Sequence, residues 1–264
     1  MMLEVSDIFF RHAMGDDILK GISFSARKGE VTVILGPNGS GKSTLFKCIL
    51  GIWKPYRGRV KADGRDITSL PFRERAKRFS YVPQGHEPSF PYKVLEVVLM
   101  GRAAYIGLFS TPGPRDYEEA ERALFLLGIE HLRDRPYTRI SGGERQMVLL
   151  ARALAQGAPY MLLDEPTSHL DFRNQVLVLS KVRELAQGKG ISVLLTLHDP
   201  NLASLFGDRI LVLNGGKVIK DGPPEEVIDE ELIEDVYGVR VSVSRVNGKR
   251  LVMPMLGSDE LYPL

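Results

Sequence analysis

The sequence predicts an α/β fold around a mainly parallel sheet, and three observations predict it. Short apolar runs at Val31–Leu35, Tyr160–Leu163 and residues 191–197 are each followed by a helix-length segment. A strand buried on both faces reads as a continuous apolar run, as these do, which is the mark of a parallel sheet covered on both sides. Two earlier stretches, Met2–Phe10 and residues 18–26, alternate weakly and are expected to pair antiparallel beside that sheet. Residues 88–136 are rich in helix formers, with 116–127 the clearest run, and read as a helical insertion.

Along the chain each element has a local reason. Val31–Leu35 stops at Gly36, and a helix is expected over 44–50, closed by Gly51 just past its end. Cys48 lies in that helix among Leu45, Phe46, Ile49 and Leu50, so it reads as a core residue. Arg73, Arg75, Lys77 and Arg78 precede the strand Phe79–Val82 and read as a solvated face. Strand–helix pairs follow at 160–163 with 174–186 and at 191–197 with 201–206. Residues 221–235 carry eight acidic side chains and no basic one. Ile228, Leu232 and Val236 recur there at i, i+4 and i+8, which predicts an amphipathic helix with acids on its wet side. No repeat at a period of ~20–50 residues interrupts this order.

Composition narrows the class. At 264 residues with 44% hydrophobic and 26% charged, the chain has ample apolar material for a core and is not a disordered sequence. The longest stretch free of charge is 12 residues, 103–114, whereas a membrane span needs ~20 apolar ones. Met1-Met2-Leu3-Glu4 opens with neither a basic nor an apolar leader region, so no signal peptide is expected. The single cysteine excludes an internal disulfide and fits a reducing compartment. A net charge of +2 gives no reason to expect a nucleic-acid partner.

Chemistry enters at Gly36-Pro37-Asn38-Gly39-Ser40-Gly41-Lys42-Ser43-Thr44, which fits the phosphate-loop pattern G-x-x-x-x-G-K-[ST]. Its glycines let backbone N–H groups curl around phosphate oxygens, and the helix that starts at Lys42 points its positive end at the same anion. Lys42 supplies a charge to the β- and γ-phosphates, and the Ser43 hydroxyl is a ligand for Mg²⁺. Tyr160-Met161-Leu162-Leu163-Asp164-Glu165 is an apolar strand that ends in two carboxylates, at the strand end where α/β sheets bind ligands. Asp164 suits Mg²⁺, and Glu165 suits polarising an attacking water. ATP and Mg²⁺ are the expected ligands.

Ile140-Ser141-Gly142-Gly143-Glu144-Arg145-Gln146 resembles the signature motif of ABC-type ATPases. The resemblance implies the P-loop ABC ATPase fold, with a mainly parallel core sheet, an antiparallel β subdomain and a helical subdomain. It implies one such domain over 1–264: core and β lobes at 1–87 and 156–264, the latter with a C-terminal extension, and a helical subdomain at 88–155 carrying the signature. It also implies a head-to-tail homodimer, in which Ser141, Gly142, Gly143 and Glu144 close on the nucleotide held by the other subunit. Gln84 resembles the glutamine that touches Mg²⁺ and the attacking water. Asp171, in Ser168-His169-Leu170-Asp171, resembles the loop that crosses the dimer interface. His198 resembles the switch histidine at the γ-phosphate. The family stacks adenine on an aromatic side chain, often Tyr; here His12 stands near that place, below Phe9 and Phe10.

Three readings follow from the resemblance. They are the ATP-hydrolysing subunit of a membrane transporter, a soluble ABC ATPase acting on nucleic acid, and a nucleotide-dependent switch. Repair ATPases insert a long coiled coil between phosphate loop and signature, and no sustained heptad lies between Ser43 and Ser141. Translation-type members carry two cassettes, and a switch needs neither Glu165 nor His198. The first reading is therefore preferred: a peripheral subunit on the cytoplasmic face of the cell membrane. Its implied partners are two integral-membrane permease subunits and, indirectly, a periplasmic or extracellular substrate-binding protein. Val94 to Arg102, Tyr105-Ile106-Gly107, Pro114-Arg115-Asp116, and the tail from Gly222 through Gly238, resemble importers of iron–siderophore, haem and cobalamin. Importers of oxyanions such as molybdate or tungstate are the alternative. The permease is expected beside Gln84, at Pro88-Ser89-Phe90-Pro91-Tyr92.

Overall fold

The strands of the described residues sort into a six-stranded sheet, a four-stranded sheet and a two-stranded hairpin. The computed structural model describes residues 2–13, 15–85, 90–107 and 109–255. Pro88 and Ser89 of the expected permease segment lie outside them. The chain begins β1 (Met2–Phe10), β2 (Leu19–Arg27), β3 (Val31–Leu35), α1 (Lys42–Ile49), β4 (Arg57–Ala62), β5 (Arg65–Asp66), α2 (Phe72–Ala76) and β6 (Phe79–Val82). There follow α3 (Val94–Leu99), a 3₁₀ turn at Met100–Ala104, α4 (Pro114–Leu127), α5 (Gly142–Ala155), β7 (Tyr160–Leu163), α6 (Phe172–Lys189) and β8 (Ser192–Leu197). The last elements are α7 (Pro200–Phe206), β9 (Arg209–Asn214), β10 (Lys217–Gly222), α8 (Pro224–Val227), α9 (Glu230–Tyr237), β11 (Val241–Val246) and β12 (Lys249–Pro254).

The larger sheet has the order β10-β9-β3-β8-β7-β6 and is parallel except for the β9–β10 hairpin. Its strands point alternate side chains into two cores. Ile34, Leu162, Leu194 and Leu211 face α1 and the antiparallel sheet β2-β1-β4-β5. Val33, Leu163, Leu195 and Val212 face the helices on the other side. Helix α1 is thus packed between two sheets, and Cys48 is buried there as expected. Helices α3, α4 and α5 pack on one another and dock against the edge strand β6.

Two expectations change. The acidic stretch is not one helix. Ile228 is extended (φ −85°, ψ 108°), and Asp229 starts a new helix by accepting the Leu232 N–H at 2.8 Å. Ile228, Leu232 and Val236 are all buried nonetheless, so their spacing reports a shared core rather than a continuous helix. Nor are all the basic side chains before β6 simply solvated. Arg75 donates to the Leu50 and Leu70 carbonyls, and Arg73 to those of Ala104 and Ile106. Together they lace α2 to the end of α1 and to the segment after α3.

Candidate functional site

The residues expected to form a phosphate loop make the strand-to-helix turn between β3 and α1. A Cβ at Gly36 would stand 2.1 Å from the Leu213 carbonyl oxygen of β9, so only glycine lets the loop start that close to the sheet. Lys42 is buried, and its Nζ donates to the Gly36 and Pro37 carbonyls at 2.8 and 3.0 Å. Burial lowers the pKa of this ammonium, while the Glu165 and Asp164 carboxylates act in the other direction. The Ser40 hydroxyl is buried and makes no hydrogen bond among the described residues. A buried cation, an orphaned hydroxyl and a glycine-rich loop opening the helix α1 together suit a polyphosphate anion.

Strands β6, β7 and β8 lie side by side, so their carboxyl ends bring distant residues to one place. Asp164 is 2% exposed and Tyr81 of β6 donates its hydroxyl to the Asp164 Oδ2 at 3.3 Å. Burial raises the Tyr81 phenol pKa, and the Asp164 carboxylate adds to that rise. Glu165 follows with φ +49°, a left-handed backbone that a side-chain-bearing residue rarely takes. Its carboxylate is bracketed: the Gln84 Nε2 donates to Oε2 at 2.5 Å, and the His198 Nε2 lies 2.5 Å from Oε1. Gln84, Glu165 and His198 are separated by 81 and 33 positions in sequence, yet they form one contact cluster. Lys42 lies within electrostatic reach of both Glu165 and Asp164.

Thr196 was not singled out by the sequence. Its Oγ1 donates to Asp164 Oδ1 at 2.9 Å and accepts the Glu165 N–H at 2.7 Å. One hydroxyl on β8 therefore fixes both carboxylate-bearing residues that follow β7. The available signal was a lone polar residue inside the apolar run Val193 to Leu197.

The signature residues stand at the start of α5. Ser141 is the N-cap, accepting the Glu144 N–H at 3.3 Å, and Glu144 Oε2 accepts from the Ser141 N–H and hydroxyl, both at 2.8 Å. These Ser141 bonds hold the Glu144 carboxyl below the usual carboxylate range. A Cβ at Gly143 would meet the Asn174 side chain at 2.6 Å, whereas one at Gly142 meets nothing nearer than Leu170 Cδ2 at 4.0 Å. Asn174 in turn gives its N–H to Asp171, the N-cap of α6. Ser141, Gly143, Glu144 and Asp171 thus form a second cluster. Among the described residues no hydrogen bond or ion pair joins Ser141–Glu144 to the phosphate loop.

His12 belongs to an aromatic group. Phe10 and Trp53 stack in parallel at 5.3 Å, and the His12 ring stands edge-on to both, at 5.0 and 4.6 Å. Trp53, with the Lys47 Nζ 4.3 Å from its ring, is a member the sequence reading missed; its signal was the lone tryptophan just after α1.

Comparison with known proteins accords with this geometry. The family profile described as ABC transporter matches residues 19–168. An iron chelatin transport ATP-binding protein of Helicobacter pylori is 42% identical over 83% of this chain and 86% of its own. The hemin import ATP-binding protein of Gloeobacter violaceus is 40% identical over 99% of this chain and 97% of its own. A solved metal-chelate type ABC transporter in an inward-facing conformation superposes with a TM-score of 0.84 at 32% identity, covering 96% of this chain and 97% of that one.

Proposed function

The chain belongs to the ABC transporter family, and from that premise we propose that it powers import of a metal chelate such as iron–siderophore, haem or cobalamin. It is an ATP-binding, ATP-hydrolysing subunit of an importer. The chelate cargo is supported by the names of its relatives, which transport iron chelatin and hemin. Residues 1–264 act as one ABC ATPase domain, with residues 88–155 as its helical subdomain. No helix among the described residues is long and apolar enough to cross a membrane. The proposed subunit works from the cytoplasmic face, docked on a permease.

The observation that carries the mechanism is the Glu165 carboxylate held between Gln84 and His198. Residues 36–44 wrap the phosphates of ATP with backbone N–H groups, and Lys42 sets its charge against the β- and γ-phosphates. Ser43, Asp164 and Gln84 are the residues that would hold Mg²⁺. The hydroxyl, carboxylate and amide oxygens are hard donors that suit an ion otherwise held by phosphate and water. An Mg²⁺ ion held by these residues would supply positive charge to offset that of the leaving phosphates. Glu165 takes the proton from the attacking water, and Gln84 orients that water. His198 holds Glu165 in place and meets the γ-phosphate. Ser141, Gly142 and Gly143 present a hydroxyl and a helix N-terminus to the ATP of a second subunit, with Asp171 at the same seam. His12 and Trp53 offer the rings for adenine.

For the permease contact we propose a groove other than the 88–92 segment that the sequence suggests. Phe90 and Tyr92 are exposed, with ring centroids 5.9 Å apart, but the apolar groove lies elsewhere. A cavity of about 490 Å³ is lined by Ile52, Phe72, Met100, Ala103, Ala104 and Gln156, between α2 and the helices beyond β6. Phe72 is 73% exposed at its rim. The occupant is a short permease helix, since an amphipathic helix in an apolar groove needs such anchors.

Glu165→Gln tests the chemistry. It keeps shape and hydrogen bonding but removes the base, so ATP binding persists while turnover falls ~10²–10⁴-fold. Turnover within about threefold of wild type would remove Glu165 from that role.

A further inference from the structure

We infer that the C-terminal extension is a positioning element for the hydrolytic site, acting through Asn201, which ties the helix behind His198 to strand β12. The hairpin β11–β12 is two-stranded, and such a hairpin is marginal alone. It is completed by a side chain. Asn201 Oδ1 accepts the Val252 N–H at 2.7 Å, and Asn201 Nδ2 donates to the Val252 carbonyl at 3.1 Å. One residue of a strand presents both groups to the same side, and a side-chain amide carries the same donor and acceptor as a peptide. Asn201 therefore serves β12 as a third strand would.

Its place in the chain gives this contact a consequence. Asn201 is three residues after His198, in the first turn of α7, and the Asp199 Oδ1 caps that turn by accepting the Asn201 N–H at 2.7 Å. The segment carrying His198 is thus fixed from below by its own cap and from the side by the extension. Val252 and Val241 share the core of Leu202 and Ala203, so the clamp is backed by packing. A second contact comes from α9. The buried Tyr237 hydroxyl lies beside the Gly36 N–H and the Asp199 carboxylate. Burial raises its pKa; the Gly36 N–H opposes that and Asp199 adds to it. The extension accordingly touches the segments that bear both the phosphate loop and His198. His198 lies 2.5 Å from Glu165, so loosening α7 loosens the base. Asn201 is a positioning residue: it acts through His198.

The inference rests on the proposed role of His198, and the test separates the two. Asn201→Ala, His198→Ala and the double variant are compared by single-turnover ATP hydrolysis, normalised to the fraction of subunits that bind ATP. Losing two hydrogen bonds to a half-buried strand edge should lower the rate per bound ATP about 5–30-fold, with KM within about twofold. In the His198→Ala background, Asn201→Ala should add almost nothing, the non-additivity expected of residues acting through one another. Asn201→Gln, which keeps both the donor and the acceptor one methylene further out, should fall between wild type and alanine and covers the case where alanine unfolds the hairpin. An unchanged rate, a loss explained wholly by fewer binding-competent subunits, or a loss that multiplies onto His198→Ala would overturn the inference. A His198→Ala variant as fast as wild type would instead overturn the reading of the site itself.

Discussion

Replacing Thr196 with valine removes one hydroxyl and keeps the shape of the side chain. That hydroxyl donates to Asp164 Oδ1 and accepts the Glu165 N–H, at 2.9 and 2.7 Å. Thr196 itself is fully buried and Asp164 is 2% exposed, so water cannot simply replace it. An orphaned buried partner costs about 1–3 kcal/mol, and a carboxylate sits at the upper end. With both partners orphaned, Thr196→Val should lose about 3–5 kcal/mol. For a chain of this size that is a fall in Tm of about 6–20 °C. Turnover should fall as well, because Glu165 holds its left-handed φ of +49° against the same hydroxyl. Thr196→Ser restores both bonds and removes one methyl, so it should stay within about 1 kcal/mol of wild type. Thermal melts and ATPase rates on the three proteins decide it. If valine melts and turns over like serine, the bridge between the two carboxylates is not what holds this site.

Two further outcomes follow from the same coordinates. Burial pushes the Cys48 thiol up to about 12, so at pH 8 the folded protein should react with a thiol reagent far more slowly than the denatured chain; equal rates would place Cys48 outside the core. In the groove, Phe72→Ala should leave the melt of the isolated subunit nearly unchanged, since Phe72 is 73% exposed, yet weaken capture of the detergent-solubilised permease ~30–1000-fold. Unchanged capture would return the contact to the Phe90–Tyr92 segment.

The parallel strands were legible because burial on both faces leaves an unbroken apolar run, and Val31–Leu35 and Tyr160–Leu163 end where the runs end. The phosphate loop and Glu165 were legible because their chemistry demands fixed residues at fixed local spacing. What escaped depends on contacts across the fold. Thr196 gains its role only when β8 lies beside β7, which sets it 32 positions from Asp164. Arg75 looks like one more surface charge until the Leu50 and Leu70 carbonyls are brought to it. The acidic stretch misled for a different reason: buried residues four apart imply a helix only if no better start intervenes, and Asp229 is such a start. The hairpin at 241–254 went unread although Val241 and Val243 alternate, because its stabilising partner is a side chain of α7.

The central claim is that one subunit's phosphate loop and its partner's signature make a single hydrolytic site. Complementation tests it most directly. Lys42→Ala removes the phosphate-loop charge, and Gly142→Trp fills the open space beside the signature, where the chain itself leaves 4.0 Å to the nearest side chain. Each variant alone should be inactive while folding normally. In a mixed head-to-tail dimer one site combines the sound phosphate loop of the Gly142→Trp subunit with the sound signature of the Lys42→Ala subunit. ATPase activity of the mixture, titrated across subunit ratios, should therefore rise well above either parent and peak near equal amounts. A mixture as inactive as its components at every ratio would contradict a site shared between two chains.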